Sequence, residues 1–514
     1  MKAKLTFLLT LITLCGGVFA TDPVNIGSRR ELFLDSLIVD RIEGEARRVF
    51  HRPVPREIAI RFDQPWEGNT SSGCTVFRDG DRYRMYYRAT QGEDLAGFWC
   101  YAESRDGIQW TRPSLGLVEY GGSKENNILS RTPPDVGNPV VFRDENPAAS
   151  PDALYKAVAL RYLKHAGDAR TADAINEWWG TVKERALTIW KSPDGIRWTM
   201  MQEDGILKNE GYFDSQNLAF WDANINAYRA YFREIYTDND HLGGLCRDIK
   251  TATSPDFIHW TKGTLLSYLQ PPEAQYYTNV IRLYHRAPHI YLGFPGMYDD
   301  RNWSPAMAQL PDAEKRKKNV AAWNRPGPLS DVQLIWSRDG SAFERAPATF
   351  LPPGPERPGS WTYSDNVLWH LVETASVFEG AAPELTLYAQ EFYYVGTVQL
   401  RRYTLRLDGF ASIHAPIDGG ELLTPPLIFK GSSLSMNFAT SAFGSLRVEL
   451  QDADGQPIPR FTLADSIELY GDTVARAAMW KDDPDLSAHA GKPVRLRFVM
   501  RDADLYSIKF EETK

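Results

Sequence analysis

The chain has 514 residues and a mildly acidic balance, with 66 Asp and Glu against 58 Lys and Arg for a net charge of −8. That balance argues against nucleic-acid binding. Four cysteines at unrelated spacings do not make a disulfide framework, and beyond the first twenty residues no apolar run approaches membrane length.

Lys2 and Lys4 precede an apolar stretch from Leu5 to Leu14, and Val18-Phe-Ala20 forms a small-residue cleavage site. This pattern is a secretory signal peptide over residues 1–20, cut near Ala20, and it predicts a secreted or periplasmic protein with no membrane partner. Losing Lys2 and Lys4, two positive charges, takes the net charge from −8 to −10. Cys74, Cys100 and Cys246 then remain and read as buried small hydrophobes, with a Cys74–Cys100 bridge as the alternative. Residues 31–39 look like a strand placed to help close a ring.

Four segments spell nearly the same phrase: Ser104-Arg-Asp-Gly-Ile-Gln-Trp110, Ser192-Pro-Asp-Gly-Ile-Arg-Trp198, Ser254-Pro-Asp-Phe-Ile-His-Trp260 and Ser337-Arg-Asp-Gly-Ser-Ala-Phe343. Repeats roughly 60 to 90 residues apart suit one antiparallel sheet each, arranged radially. Five fainter segments precede or accompany them, at Gly73–Phe77, Asn138–Phe142, Gln216–Phe220, Thr278–Arg282 and Asp365–Trp369. All are short, β-prone and mostly apolar, as strands buried on both faces should be. Each leads through a turn to a second strand-like run, and a worn fifth turn stands at Arg406-Leu-Asp-Gly-Phe410. The turn aspartates can bind their own loop and the glycines supply positive φ, so these are structural turns.

The fold class predicted is all-β: a five-bladed β-propeller over 21–415, followed by an antiparallel β-sandwich over 416–514. Two insertions interrupt the repeats, over 164–184 with Trp178-Trp179 and over 298–329 with Glu314-Lys-Arg-Lys-Lys318. The basic run reads as a solvated face.

In a propeller, the starts of the inner strands converge at one mouth. Glu67, Asp135, Asp214, Glu273 and Asp365 stand at or just before those starts. Carboxylates gathered there acquire unequal pKa values, which is how one chemical group supplies both acid and base for glycosidic cleavage. Glu67, Asp214 and Asp365 lead as catalytic candidates, and Glu391 and Glu234, at the ends of second strands, are reserves for the proton donor. Trp66, Gln216, Asn217 and Tyr276 are candidates to bind a sugar. Arg88, Arg233, Arg286 and His289 suit a carboxylate or sulfate on it. No metal or cofactor motif stands out.

Five blades, the Ser-x-Asp-Gly-x-x-Trp turns and a trailing sandwich resemble the glycoside hydrolase superfamily of invertase-like fructosidases and arabinanase-like enzymes. Pro65-Trp-Glu-Gly68, Tyr86-Tyr-Arg88, Glu125-Asn-Asn-Ile128, Phe213-Asp-Ser-Gln-Asn217 and Arg286 through Pro295 resemble, more closely, a group of exported family-32-like proteins of planctomycete-type bacteria. The invertase-like resemblance implies an Asp nucleophile before the first inner strand, an Arg-Asp-Pro motif in the second blade and a Glu acid in the third. This chain offers Asp63 and Glu67 in the first, Asn138-Pro139 in the second and Asp214 in the third. The expected function is a secreted glycoside hydrolase on a polysaccharide or oligosaccharide. A propeller that binds carbohydrate without cleaving it is the alternative, and phosphorolysis ranks third.

Overall fold

The computed structural model describes residues 22–91, 97–131, 136–164, 184–237, 245–301, 303–323, 328–482 and 485–512. The expected signal peptide, Asp135 and Trp178-Trp179 lie outside them. The described chain is nearly all β-strand, with one α-helix, Ala313–Trp323, and three single-turn 3-10 segments. No helix among the described residues is long and apolar enough to cross a membrane.

The chain divides into two compact units, residues 48–412 and residues 1–47 with 413–514. The boundary differs from the expected one because residues 22–47 join the C-terminal strands: Arg30–Leu32 pairs antiparallel with Val494–Glu511, and Val24–Gly27 pairs parallel with Leu427–Phe429. In this unit Ser433–Asp452 runs against Val494–Glu511. Its apolar face is read off directly: Val494, Leu496, Phe498 and Met500 are buried, while the arginines between them are not. That period of two is what a half-buried strand requires.

The larger unit is a run of antiparallel sheets taken in chain order. The first is Ser72–Asp79, Arg82–Ala89, Phe98–Ser104 and Ile128–Arg131. The second is Val136–Arg143, Tyr155–Lys164, Glu184–Ser192 and Thr199–Ile206. The third is Leu218–Asp222, Ala227–Thr237, Leu245–Ser254 and Thr264–Leu265. The fourth is built on Arg282–Tyr284, Ala287–Gly293, Ile335–Ser337 and Ala342–Arg345, and is extended by the hairpin Gly296–Asp300 with Pro328–Val332. The fifth is Leu368–Thr374, Glu384–Glu391 and Gln399–Arg406, and its outer strand is Val54–Arg61 from the start of the unit. Residues 31–39, expected in that closing position, lie in the other unit. Both segments are β-prone, and the choice between them is a long-range pairing that neither encodes locally.

The Ser-x-Asp-Gly turns do the mechanical work expected of them. In the first, Asp106 Oδ1 accepts the Ile108 and Gln109 backbone N–H at 2.8 Å each and the Ser104 hydroxyl at 2.8 Å, while Gly107 N donates to Ser104 Oγ at 2.9 Å. The second and fourth turns repeat this set, and the third keeps all of it but the last bond. Burial opposes charge on these aspartates, but the N–H groups and hydroxyls outweigh it and hold all four carboxyls below the usual range.

Register places each turn at the end where the first and second strands join, since Asp79 pairs with Arg82 and Tyr83 with Ser104. There each turn locks onto the preceding sheet. Arg84 donates to Asp194 O at 2.8 Å, Tyr231 donates to Gly340 O at 2.8 Å, and the Tyr388 hydroxyl donates to Gly107 O. In the third turn Phe257 holds the left-handed conformation at φ 70° that glycine holds elsewhere. Its ring is fully buried against Phe142 and Tyr228. Burying a phenylalanine is worth about 1.5–3 kcal/mol, which offsets backbone strain of roughly 1–3 kcal/mol.

At Gly195, φ is 76° and a Cβ would sit 2.5 Å from Tyr86 Oη and 2.7 Å from Arg84 Nη1. Gly195→Ala is therefore expected to cost about 1–3 kcal/mol in urea unfolding, from strain and a broken turn contact. A loss under a few tenths would show that the turn carries no such load.

Candidate functional site

The other end of each sheet, where the first strands begin and the second strands finish, gathers polar side chains. Neighbouring sheets touch there in a complete circuit. Thr75 Oγ1 accepts Val141 N at 3.3 Å further along the strands, joining first to second. Asn138 donates to Asp214 O at 3.5 Å, joining second to third. Ser215 donates to Tyr277 O at 3.1 Å and Asn279 donates to Gln216 O at 2.9 Å, joining third to fourth. The Tyr277 and Tyr363 hydroxyls bond to each other, joining fourth to fifth. Tyr394 N donates to Asn69 O at 2.8 Å, returning to the first.

Left-handed backbone marks these entries, at Gly73, Asn138, Phe213, Ser364 and Asn366. Conformations of that kind in non-glycine residues persist where the surroundings over-determine them, and they concentrate at sites. Asn217 explains one: its Nδ2 donates to Phe213 O and Ser215 O, and its Oδ1 accepts Arg233 N. It shapes the turn and is used up in doing so.

Asp214 stands at this circuit with its side chain 17% exposed, accepting Arg233 Nη1 at 2.8 Å. The Arg233 guanidinium, 1% exposed, lies over the Tyr277 ring with 4.2 Å to its centroid. Tyr363 packs beside Tyr277, Tyr298, Tyr393 and Tyr394. Arg88, at the end of the first sheet's second strand, donates to Ser72 Oγ at 3.4 Å. Gln216 is buried, and neither polar atom of its amide meets a protein partner.

Asp365 and Glu391 lie close enough for the charge of one to act on the other. Asp365 is 1% exposed and accepts the Phe392 backbone N–H at 2.9 Å. Burial pushes its carboxyl up to about 7; the Phe392 N–H opposes this and the Glu391 charge reinforces it. Glu391 is also buried, yet Arg401, Gln399 and Arg357 outweigh burial and hold it below the usual range. Glu391, expected as a reserve proton donor, is therefore held toward its ionised form, and its charge adds to the burial that raises Asp365. No contact joins either group to Asp214.

An ionisation that folding disfavours is a stability term. Asp365 binds its proton more tightly folded than unfolded, so its contribution is full below about pH 4 and is lost as pH rises toward 7. The rise from an ordinary aspartate to about 7 corresponds to a loss on the order of 4 kcal/mol. Urea midpoints from pH 4 to 8 should therefore fall more steeply for the parent than for Asp365→Asn. Parallel curves would place the high pKa elsewhere.

Several expected site residues lie elsewhere. Glu67 has a fully buried side chain; it accepts Arg112 Nε at 2.9 Å, Arg112 Nη2 at 3.0 Å, Gln64 N at 3.0 Å and the Tyr87 hydroxyl. It anchors a buried network and is closed to a substrate. Trp66 donates to Asn127 Oδ1 at 2.9 Å and meets Tyr120 edge-on, so it braces that network. Arg286 Nε donates to Asp408 at 2.8 Å in the worn fifth turn, where Tyr284 also donates. Both Arg286 and His289 follow the hairpin of the fourth sheet and so sit at its turn end. Glu234 pairs with Lys250 at 2.5 Å and Glu273 with Arg345 at 2.8 Å.

Tyr276 is in the core, edge-on to Tyr268, and its neighbour Tyr277 faces the site. Register decides this: Tyr276 pairs with Met297 in the hairpin extension, and consecutive strand residues face opposite ways. Tyr277, Tyr363 and Arg185 were not singled out by sequence; the Tyr276-Tyr277 pair carried the signal but not its face. The basic run also differs from expectation, because Arg316 is buried and donates to Ser360 O at 2.6 Å and to Trp361 O. It pins the loop that leads into Asp365.

The hairpin extension has a second acidic face. Asp299 and Asp331 line a groove of about 940 Å³ with Trp361, Met307 and Leu310. Burial pushes Asp331 up to about 6, the Thr349 hydroxyl opposing and the Asp299 charge adding. Tyr298 and Ser330 occupy the alternate positions and face Tyr363 and Ser364 instead. Among the described residues, no group of three or more His, Cys, Asp or Glu is placed to hold a metal ion.

Among solved structures the chain is similar to a fructofuranosidase from Schwanniomyces occidentalis complexed with fructosylnystose, at 11% identity over 88% of this chain and 96% of that one, TM-score 0.38. It is similar to a thermostable family-43 glycoside hydrolase, at 11% identity over 68% and 94%, TM-score 0.39. It is also similar to an N-acetylgalactosamine deacetylase from F. plautii in complex with blood group B trisaccharide, at 12% identity over 93% and 94%, TM-score 0.40. Glycoside hydrolases, which the sequence resembles, thus recur among its structural neighbours. No protein-family model matches the chain, and no curated protein matches it by sequence.

Proposed function

We propose that the chain is an exported glycoside hydrolase acting on a polysaccharide or oligosaccharide. Its larger unit is read as a five-bladed β-propeller, one blade per sheet, and its smaller unit as a β-sandwich. The observation that carries the reading is the run of strand entries, which sets a partly exposed carboxylate, Asp214, on a buried arginine amid packed tyrosines. Tyrosine faces suit sugar rings and a held carboxylate suits their hydroxyls. Asp214 is assigned the base or nucleophile. Asp365, whose carboxyl burial pushes up to about 7, is the candidate acid for the leaving oxygen, a role that requires its buried carboxyl to be opened to substrate.

One observation favours a second reading, binding without cleavage. Among the described residues Asp214 is the one carboxylate in contact with the arginines and tyrosines of the circuit, while Asp365 is 1% exposed. Incubation of the purified protein with a polysaccharide panel, followed by chromatography of products, separates the two. New reducing ends from one member support hydrolysis. Retained binding without release from any member selects the second reading.

A further inference from the structure

We propose that the strand-entry site takes a saccharide that bears an oxyanion, a carboxylate or a sulfate group, and that Arg88, Arg185 and Arg233 read that charge. The inference rests on the reading of this site as saccharide-binding.

Charge balance is the first ground. Arg233 contacts Asp214 at 2.8 Å, Arg185 lies over the ring of Tyr212 two residues before Asp214, Arg88 reaches Ser72 at the first strand's entry, and Arg88, Arg185 and Asp214 all act on the buried Tyr162 hydroxyl. Glu234 supplies no spare negative charge, because Lys250 neutralises it. Among the described residues, three guanidinium groups thus lie near one carboxylate. Elsewhere in the same unit several buried or half-buried arginines are matched by a carboxylate, Arg112 with Glu67, Arg229 with Asp222, Arg286 with Asp408 and Arg402 with Glu57, while Arg316 and Arg282 spend donors on backbone carbonyls.

Unused donors are the second ground. Arg88 Nε, Arg185 Nε and Arg233 Nη2 are buried and meet no acceptor among the described residues, and the amide of the buried Gln216 is equally unspent there. Buried polar groups in folded proteins are almost always paired, so a cluster of idle donors of one sign points to an acceptor that arrives from outside.

Geometry is the third. Arg233 stacks on Tyr277 and Arg185 stacks on Tyr212 at 4.0 Å. Stacking fixes the guanidinium plane and leaves its N–H edge free, the arrangement that grips a planar or tetrahedral oxyanion with paired hydrogen bonds. A neutral sugar would leave the excess charge and the donors uncompensated.

Calorimetry with matched pairs tests this: tetragalacturonate against its methyl ester, and a sulfated galactan tetrasaccharide against its desulfated form. In one pair the charged member should bind at least ten-fold tighter at low salt, with the advantage shrinking as salt rises. The pair that responds assigns carboxylate or sulfate. Arg88→Gln and Arg185→Gln should each cut the charged-over-neutral ratio about ten-fold, and Arg88→Lys should restore part of it. Equal affinity within both pairs, or no binding by either charged oligomer, overturns the inference. The wild-type comparison stands even if a variant misfolds. Turnover is read separately, so anion preference without cleavage would sink only the hydrolase reading, and cleavage of neutral chains without preference would sink only this one.

Discussion

With Asp214 as the proposed base or nucleophile, Asp214→Asn should lower turnover by about 10²- to 10⁴-fold, the range that a positioned acid–base group supplies. Asparagine keeps the shape and one acceptor for Arg233 Nη1, so the 2.8 Å contact can survive as a neutral hydrogen bond. What disappears is the negative charge that a base or nucleophile needs. The structural cost is about 1–3 kcal/mol, because a charge-assisted bond weakens beside a buried guanidinium. A domain with roughly 5–15 kcal/mol in hand tolerates that loss. Circular dichroism at 25 °C should therefore match the parent while product release collapses. Turnover within three-fold of the parent would remove Asp214 from the chemistry.

Arg112→Ala should destabilise the larger unit by about 3–5 kcal/mol, the cost of leaving one member of a buried ion pair alone. Glu67 has no exposed side-chain surface, and its cation is Arg112, bound through two nitrogens. Tyr87, Gln64 and Trp66 with Asn127 then lose the charge that organises them. The paired change Arg112→Ala with Glu67→Gln should recover much of the stability, since no buried charge is left uncompensated. Chemical unfolding of the two singles and the double measures that coupling. A single-variant loss below 1 kcal/mol would contradict the network. The same experiment bears on function: with Glu67→Gln, activity should follow the amount of folded protein, as it does for a residue that builds the site without touching substrate.

Much of the architecture is legible in the chain because its signals are local. The turn aspartates bind N–H groups two and three residues ahead, so their spacing alone fixes the motif. The inner strands announce themselves as short apolar runs before a turn. Asp214, Arg88, Arg233 and Gln216 were found the same way, since each stands at a strand entry or exit.

The remainder was decided over distances that no local pattern spans. Glu67 and Asp214 look alike in sequence, each a carboxylate beside an aromatic residue before a strand. Arg112, 45 positions on, closes one, and Arg233 leaves the other half-open. Arg286 reads as a sugar contact until Asp408, 122 positions later, takes it. Tyr276 and Tyr277 differ only in which face of the hairpin they occupy, and the partner strand sets that face. Asp365 acquires its high pKa from burial and from Glu391, which folding brings beside it. By itself the sequence determined an all-β chain of repeated sheets, with polar residues at the strand entries, because hydrogen bonds within a few residues and alternation along a strand enforce both. Which carboxylates are spent on arginines, which stay open and where unpaired guanidinium groups collect were decided by tertiary structure alone, since charge pairing and burial depend on residues that meet only in the fold.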